Sequence, residues 1–265
     1  MFDLFNRQIT YLRISVTDKC NLRCIYCMPE EGVERKAHKD LLRFEEIQKI
    51  AKTAATLGIT KLRLTGGEPL VRKGIEELVR LLREIPEIKQ IGMTTNGILL
   101  AEKIDLLKKA GLSSVNISLD TLNPDRYRSI TRRGNIDEVF RGIEAARKQG
   151  LPVKINMVIL KDTTDQEIDA MRAFCREKNV MLQFIAHYDL KKEKREPEFY
   201  DRPPDCRKCN RIRLLSDGKL KPCLHSNIEI PVDLQDIEGS LIRTIRAKPE
   251  KGIICTNRNM IEIGG

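Results

Sequence analysis

Six short apolar runs, each the length of a β-strand, alternate with stretches of helical periodicity over residues 11–185. The strand-like runs span 11–17, 61–64, 90–94, 114–119, 152–160 and 180–185. The helical stretches span 44–57, 74–85, 101–110, 135–149 and 165–178. This order predicts an α/β fold of parallel strands joined by helices, either a doubly wound sheet or a partial barrel.

Polar or glycine-rich segments follow the first four predicted strands. They are a cysteine-rich loop at 20–27, Gly-Gly-Glu-Pro at 66–69, Thr-Thr-Asn-Gly at 94–97 and Ser-Leu-Asp at 118–120. Each of the two glycine-containing segments is, taken alone, a common turn. Because parallel barrels place their sites at the C-terminal ends of strands, the four segments together are expected to line one mouth.

The pattern changes after residue 190. A charged run at 191–197 and a proline pair at 203–204 indicate a linker. We therefore expect a first domain over 1–190 and a small second domain over 191–265. The second domain holds four of the eight cysteines.

Composition limits the class of protein. The net charge is +10 and the isoelectric point is about 9.2, which indicates an anionic partner or a basic surface. No apolar run approaches the ~18 residues that a membrane span needs, and the N-terminus lacks the apolar core of a signal peptide. We expect a cytoplasmic protein with no membrane partner. In that compartment eight cysteines favour metal ligation over disulfides.

Three cysteines, Cys20, Cys24 and Cys27, are spaced C-x3-C-x2-C directly after the first predicted strand. Three thiolates can hold three irons of a [4Fe–4S] cluster and leave the fourth iron open. An open metal position is what catalysis requires. The alternative is a zinc site, but zinc ligands usually come as two pairs, and His38 is the only nearby candidate for a second pair.

A second set, Cys206, Cys209 and Cys223, is spaced C-x2-C-x13-C. Runs at 212–215 and 219–222 flank Ser-Asp-Gly like the strands of a hairpin, which would return Cys223 to the other two thiols. Cys255 and His225 are candidate fourth ligands, and a zinc ribbon stays open here. A basic zinc-binding nucleic-acid module is the corresponding non-enzymatic alternative. A basic stripe interleaved with aromatic residues, which such a module needs, is missing from the sequence, so nucleic acid is not the expected partner.

The sequence resembles the radical S-adenosylmethionine enzymes, and specifically the GTP 3′,8-cyclase family of molybdenum cofactor biosynthesis. The likeness lies in the segments 11–29, 61–70, 94–97, 116–120 and 206–223 and in the terminal Gly-Gly. It implies a partial (β/α)6 barrel of the TIM type with a small C-terminal iron–sulfur domain. It also implies two [4Fe–4S] clusters, S-adenosylmethionine, and GTP or another anionic small molecule as substrate.

The resemblance also implies roles for individual residues. Both cysteine sets become cluster ligands. S-adenosylmethionine is bound by Tyr26, Gly66, Gly67, Glu68, Ser118, Asn156 and Tyr188. GTP is bound by Arg13, Lys61, Arg63, Thr94, Lys154, Arg211 and Arg213. Arg211, Arg213, Gly264 and Gly265 support catalysis. An electron donor such as flavodoxin or ferredoxin, and a homodimer, are the implied protein partners.

Two departures from the family lie near the expected mouth. Gln183 stands where the family has an arginine that contacts GTP, Ala186 replaces an acidic residue, and Tyr188 replaces a methionine. The segment from Asp189 to Cys206 is also several dozen residues shorter than usual. The alternative function is therefore a divergent radical enzyme that acts on another nucleotide or on a peptide. Of the remaining cysteines, Cys175 is expected to pack in the core.

Overall fold

The computed structural model describes residues 1–33, 37–187, 189–192 and 205–264. Within these ranges the chain forms one mixed sheet of nine strands. The strands are β1 (Tyr11–Ser15), β2 (Lys61–Thr65), β3 (Gln90–Thr95), β4 (Ser114–Ser118), β5 (Val153–Ile159), β6 (Met181–Ala186), β7 (Arg211–Leu214), β8 (Lys219–Lys221) and β9 (Ile230–Pro231). The predicted strands and the predicted hairpin are confirmed.

Eight α-helices lie in the described part of the chain. They are α1 (Phe44–Thr56), α2 (Ile75–Arg83), α3 (Leu100–Lys109), α4 (Pro124–Thr131), α5 (Ile136–Lys148), α6 (Asp165–Glu177), α7 (Ile237–Arg246) and α8 (Met260–Ile263). The five predicted helices correspond to α1, α2, α3, α5 and α6. None of these eight helices is long and apolar enough to cross a membrane.

The strand order across the sheet is β6-β5-β4-β3-β2-β1-β7-β8-β9. The first six strands are neighbours in sequence order and all pair in parallel. Each connection therefore winds in the same sense, as in a barrel, and a doubly wound sheet would reverse this order. Side chains from β1 to β7 line one common hollow, so the predicted partial barrel is confirmed.

Alternation along the strands separates a packed face from a polar face. Leu12 and Ile14 on β1 and Leu62 and Leu64 on β2 are fully buried in the apolar core, which the helices cover. The residues between them, such as Arg13 and Arg63, point to the hollow. Period-two patterning of this kind fixes which face of each strand meets the core.

The C-terminal segment continues the barrel sheet. β7 pairs in parallel with β1, and β8 and β9 add to it in antiparallel fashion. A second, small cluster of apolar residues forms around Leu190, Leu215, Cys255 and Ile263. The division into domains at residue 190 stays a prediction, and most of the expected linker, 193–204, lies outside the described residues.

Candidate active site

Three arginines stand side by side on the inner face of the sheet. In the strand register, Arg213 on β7 lies opposite Arg13 on β1, and Arg13 lies opposite Arg63 on β2. All three are buried. The next position in the row, on β3, is Gly92. A Cβ atom there would lie 2.9 Å from Nη2 of Arg63, so the glycine makes room for the guanidinium.

These arginines belong to a strongly cationic cavity at the mouth of the barrel. Its lining includes seven basic side chains, and among the described residues no Asp or Glu lines it. The basic residues are Arg13, Lys61, Arg63, Lys154, Arg211, Arg213 and Lys248. Cations that are held close together bind polyanions such as phosphate chains. Six of the seven were predicted from the sequence as substrate contacts, and Lys248 was not.

Tyr11 lies among these cations. Nε of Arg63 donates a hydrogen bond of 2.7 Å to the Tyr11 hydroxyl, and the cationic groups of Lys61 and Arg211 lie 5.3 and 5.6 Å from the ring centroid. Burial by itself raises the pKa of Tyr11, but Arg13, Arg63 and Arg211 outweigh it and lower the pKa to about 8. The phenol therefore responds to the positive potential of the cavity.

The C-terminal tail enters the same region. The carbonyl oxygen of Gly264 accepts hydrogen bonds from Arg213 (2.8 Å) and Arg13 (3.1 Å). Gly264 has a φ of 70°, and a Cβ atom there would lie 2.6 Å from Cγ2 of Thr65. Gly264 therefore lies beside Arg13 and Arg213, and its role in catalysis stays a prediction. Gly265 lies outside the described residues.

The second cysteine set opens onto the cationic cavity, and the hairpin returns Cys223 to the other two thiols as predicted. Cys206, Cys209 and Cys223 all line it, and buried His225 lies beside them. Burial acts to raise the pKa of the Cys209 thiol, but nearby Lys248 and Arg211 bring it below the usual value. For Cys223 burial dominates and the pKa is raised.

The first cysteine set lines a neighbouring cavity. Cys20, Cys24 and Cys27 contribute to its wall, and the side-chain amide of Asn96 donates to Sγ of Cys20 at 3.9 Å. Burial raises the pKa of the Cys20 thiol to about 11 and that of Cys27 to about 12. In the described ranges, no group of three Cys, His, Asp or Glu side chains is arranged to hold a single metal ion. A four-iron cluster differs in that its ligands bind separate irons.

The Gly66–Gly67 turn presents bare backbone to this cavity. A Cβ atom on Gly66 or Gly67 would overlap the carbonyl oxygens of Thr17 and Lys19, respectively. Glu68 is buried, and its carboxylate accepts hydrogen bonds from Leu70 N, Thr95 Oγ1 and Asn96 N. Burial raises the pKa of Glu68 to about 7. The carboxylate therefore holds the loop that carries Asn96 to Cys20.

Tyr26 is fixed from the opposite side. Its hydroxyl donates a hydrogen bond of 2.6 Å to Oδ2 of Asp120, whose Oδ1 accepts from Val158 N. Burial raises the pKa of Asp120 to about 6. The His187 ring meets the Tyr26 ring edge-on at 6.2 Å between centroids. The predicted contacts Tyr26 and Ser118 both line the cavity that holds the first three thiols.

The two cavities adjoin. Thr94, Asn156 and Ile185 line both of them. Asn156 is buried, and its Oδ1 has no hydrogen-bond partner among the described residues. An acceptor left unsatisfied in a buried site costs about 1–3 kcal/mol, so it points to a donor supplied by a bound molecule.

Two of the three residues that depart from the family pattern line these cavities. Gln183 lines the cationic cavity, and Ala186 lines the neighbouring one. Tyr188 and the side chain of His38 lie outside the described residues. Cys175 packs in the main core as predicted, and Cys255 is buried in a small apolar cluster with Leu190, Leu215 and Ile263.

Helix α4, which periodicity did not predict, supports the first cysteine loop. The carbonyl oxygens of Thr131 and Ile130 accept hydrogen bonds from the backbone N–H groups of Arg23 and Ile25. Arg132, at a φ of 62°, ends the helix and donates to the Arg23 carbonyl at 3.0 Å. Asn123 as N-cap and Pro124 at the first position are start signals that could have revealed this helix.

A family model described as the radical SAM superfamily matches residues 14–175. The chain belongs to this superfamily. The GTP 3′,8-cyclase of Alkaliphilus oremlandii is 42% identical over 320 positions, and that of Petrotoga mobilis is 39% identical over 325. Both alignments cover all of this chain and all of the relative. Within the radical SAM superfamily, the chain therefore belongs to the GTP 3′,8-cyclase family, and the predicted resemblance is confirmed.

Two solved structures with bound S-adenosylmethionine share the fold. Streptococcus suis SuiB bound to S-adenosylmethionine superposes with a TM-score of 0.69 at 18% identity, covering 92% of this chain and 66% of that chain. The protein anSMEcpe with bound AdoMet also gives a TM-score of 0.69 at 18% identity, covering 91% of this chain and 81% of that chain. At this identity the likeness concerns the fold alone.

The radical SAM chain is shorter than its cyclase relatives. The alignment with the Alkaliphilus oremlandii protein runs over 320 positions, whereas this chain has 265 residues, so 55 positions have no residue here. The expectation of a chain several dozen residues shorter is therefore confirmed. The location of the missing positions between Asp189 and Cys206 stays a prediction.

Proposed function

We propose that this radical SAM protein is a GTP 3′,8-cyclase. It joins the ribose C3′ of GTP to the purine C8 and yields (8S)-3′,8-cyclo-7,8-dihydroguanosine 5′-triphosphate for molybdenum cofactor biosynthesis. The observation that carries the proposal is the pair of adjoining cavities. One has three thiols and bare glycine backbone, and the other has three thiols and seven basic side chains. The full-length likeness to proteins named GTP 3′,8-cyclase supports it.

The first site fits a [4Fe–4S] cluster with S-adenosylmethionine. Cys20, Cys24 and Cys27 would hold three irons, and the fourth iron stays open because the set supplies three thiolates. When bound, the cluster supplies the electron that cleaves S-adenosylmethionine to methionine and a 5′-deoxyadenosyl radical. Burial raises the pKa of the Cys20, Cys24 and Cys27 thiols, so these thiols carry protons in the metal-free protein. Three protons would therefore be released when the cluster binds.

The surrounding residues would hold S-adenosylmethionine. Gly66 and Gly67 let the methionine end approach the backbone, and Ser118 and Asn156 offer polar atoms on the inner face of β4 and β5. The unsatisfied Oδ1 of Asn156 suits a hydroxyl or amino donor of the bound molecule. Tyr26, held by Asp120, covers the adenine side. Glu68 acts indirectly, since its three hydrogen bonds go to Leu70 in its own loop and to Thr95 and Asn96 at the end of β3.

The cationic cavity would bind GTP. A triphosphate carries several negative charges, and Arg13, Lys61, Arg63 and Lys154 offer cationic donors in the lining of this cavity. The second cluster, on Cys206, Cys209 and Cys223, would leave an iron for the purine at the other end of the cavity. Thr94 lines both cavities and would contact the nucleotide where they adjoin.

Arg211, Arg213 and the glycine tail would complete the site. The hydrogen bonds from Arg213 and Arg13 to Gly264 hold the tail beside the nucleotide and help to exclude water. Exclusion of water protects a reactive carbon radical from side reactions. Electron supply by flavodoxin or ferredoxin, a cytoplasmic location and a homodimer belong to this proposal as predictions.

An anaerobic turnover assay on cluster-reconstituted protein tests the proposal. The reaction contains S-adenosylmethionine, a strong reductant and GTP, with ATP and GDP as matched nucleotide controls. With GTP we expect 5′-deoxyadenosine and the cyclised nucleotide in about equal amounts. We do not expect this result with ATP or GDP. Formation of 5′-deoxyadenosine without a GTP product would favour another substrate, to which Gln183 in the cavity wall would be adapted.

A further inference from the structure

Lys248 is a buried lysine whose three N–H donors are all used inside the protein. Its side chain lies at the second cysteine set, and the residue is 2% exposed. The ammonium donates to Sγ of Cys209 at 3.4 Å, to the carbonyl oxygen of Arg211 at 2.8 Å and to that of Pro222 at 3.0 Å. An ammonium has three donors, so none remains for a phosphate group.

The charge of Lys248 requires a counter-charge. A buried ammonium is costly unless it is paired. The two carbonyl oxygens are neutral, and within the described residues no carboxylate lines the cavity. The thiolate of Cys209, together with whatever negative group the three thiols bind, is the partner that the geometry provides. Lys221 is the contrasting case: it too is fully buried, but Glu229 lies 3.7 Å from its ammonium.

The turn that carries Lys248 is held in place from the N-terminus. The buried guanidinium of Arg7 donates to the carbonyl oxygens of Pro249 (2.6 Å), Glu250 (2.9 Å) and Cys206 (2.8 Å). Arg7 therefore ties the residues that follow Lys248 to the loop that carries the first thiol of the set. A donor fixed on both sides in this way can orient a metal ligand.

We propose that Lys248 is a positioning residue for the second iron–sulfur cluster, whose fixed positive charge beside Cys209 makes the cluster easier to reduce. The inference rests on the proposed function, because it takes Cys209 as a cluster ligand. In the reduction, one electron passes from the added reductant to the cluster and no bond is broken. The added negative charge is stabilised by a nearby cation and by a hydrogen bond to the ligand sulfur, and both raise a reduction potential.

The test is a redox titration of the second cluster, followed by electron paramagnetic resonance, together with iron and sulfide content. The full chain carries Cys20→Ser, Cys24→Ser and Cys27→Ser, so that only the second cluster is observed. Three further substitutions are made separately in this background. Lys248→Met and Lys248→Gln remove the positive charge, and Lys248→Arg keeps it. Lys221→Met is the matched control, since it removes a buried lysine that faces a carboxylate.

We expect a more negative potential for both neutral variants and little change for Lys248→Arg and Lys221→Met. Loss of the cluster from both neutral variants, with retention in Lys248→Arg, would equally show that the charge is needed. Equal potentials in all variants, or cluster loss from Lys248→Arg as well, would overturn the inference. If the chain with Lys248 intact binds no second cluster, the proposed function fails, and the inference fails with it.

Discussion

The guanidinium of Arg213 donates a hydrogen bond of 2.8 Å to the carbonyl oxygen of Gly264, one residue from the C-terminus. Arg213 lies on β7, in register with Arg13 on β1, which binds the same oxygen. The tail is thus held by the same row of arginines that would bind the substrate.

Gly264→Ala should move the tail. At a φ of 70° an alanine costs about 1–2 kcal/mol, and its Cβ would press on Thr65 at 2.6 Å. We expect product formation to fall about 100-fold, because small displacements of positioning groups have effects of that size. Gly150→Ala is the matched control: its φ is 65°, but a Cβ there meets nothing within 4 Å. Equal rates for the two variants, at equal iron content, would contradict a role for the tail.

Gly92→Ala should displace Arg63 without unfolding the protein. The new Cβ would lie 2.9 Å from Nη2 of Arg63, which is the flexible end of its side chain. We expect the KM for GTP to rise about 10-fold, which corresponds to roughly 1.5 kcal/mol for one charge-assisted hydrogen bond. A double-mutant cycle with Arg63→Ala is the control. Additive effects of the two substitutions would show that Gly92 does not act through Arg63.

Tyr11 should ionise at a lower pH than an unperturbed tyrosine. Its pKa is lowered to about 8 despite burial, because Arg13, Arg63 and Arg211 outweigh the burial effect. In the unfolded chain its pKa is about 10, so the free energy of unfolding should rise from pH 8 to pH 10 relative to Tyr11→Phe. Nuclear magnetic resonance of ring-labelled tyrosine in the metal-free protein reports the titration directly.

GTP should raise the pKa of Tyr11, because the triphosphate neutralises the arginines that lower it. The Tyr11→Phe variant identifies the resonance and serves as the control. A pKa near 8 that does not change at saturating GTP would place the triphosphate elsewhere in the protein.

Arg7→Met should destabilise the fold and loosen the second thiol set. Nε of Arg7 lies 2.6 Å from Oδ2 of buried Asp3, so the substitution leaves a carboxylate without its cation, at a cost of about 3–5 kcal/mol. It also removes three hydrogen bonds to carbonyl oxygens at 206, 249 and 250. We expect a lower midpoint in urea and a reduced iron content.

The double variant Asp3→Asn with Arg7→Met separates these two effects. It removes the unpaired charge, so part of the stability should return while iron content stays low. Full iron content in both variants would show that Arg7 does not support the cysteine loop.

Much of this architecture could be predicted from local patterns. On β1, apolar Leu12 and Ile14 alternate with polar Arg13. This pattern predicts both the strand and which of its faces meets the core. Parallel strands followed from the repeated βα units, and the hairpin followed from Ser-Asp-Gly between two short runs. The strand order did not follow, because the same βα units also fit a doubly wound sheet. Helix α4 was missed because its eight residues, Pro124–Thr131, are mostly polar and give no clear apolar stripe.

The contacts that link distant segments could not be predicted. Lys248 reaches Cys209 across 39 positions, and Arg7 reaches Cys206 across 199. Both look like ordinary charged residues in the sequence, and only tertiary packing buries them. The continuation of the barrel sheet by β7 depends likewise on pairing between residues 11 and 211, which no local signal encodes.

In the proposed reaction, the two adjoining cavities would bring a 5′-deoxyadenosyl radical to the ribose of GTP. The most direct measurement uses GTP labelled with deuterium at C3′ and follows the label by mass spectrometry in anaerobic turnover. The account predicts that deuterium appears in 5′-deoxyadenosine and is absent from C3′ of the cyclised nucleotide. Unlabelled 5′-deoxyadenosine, formed while the labelled GTP is recovered unchanged, would contradict it.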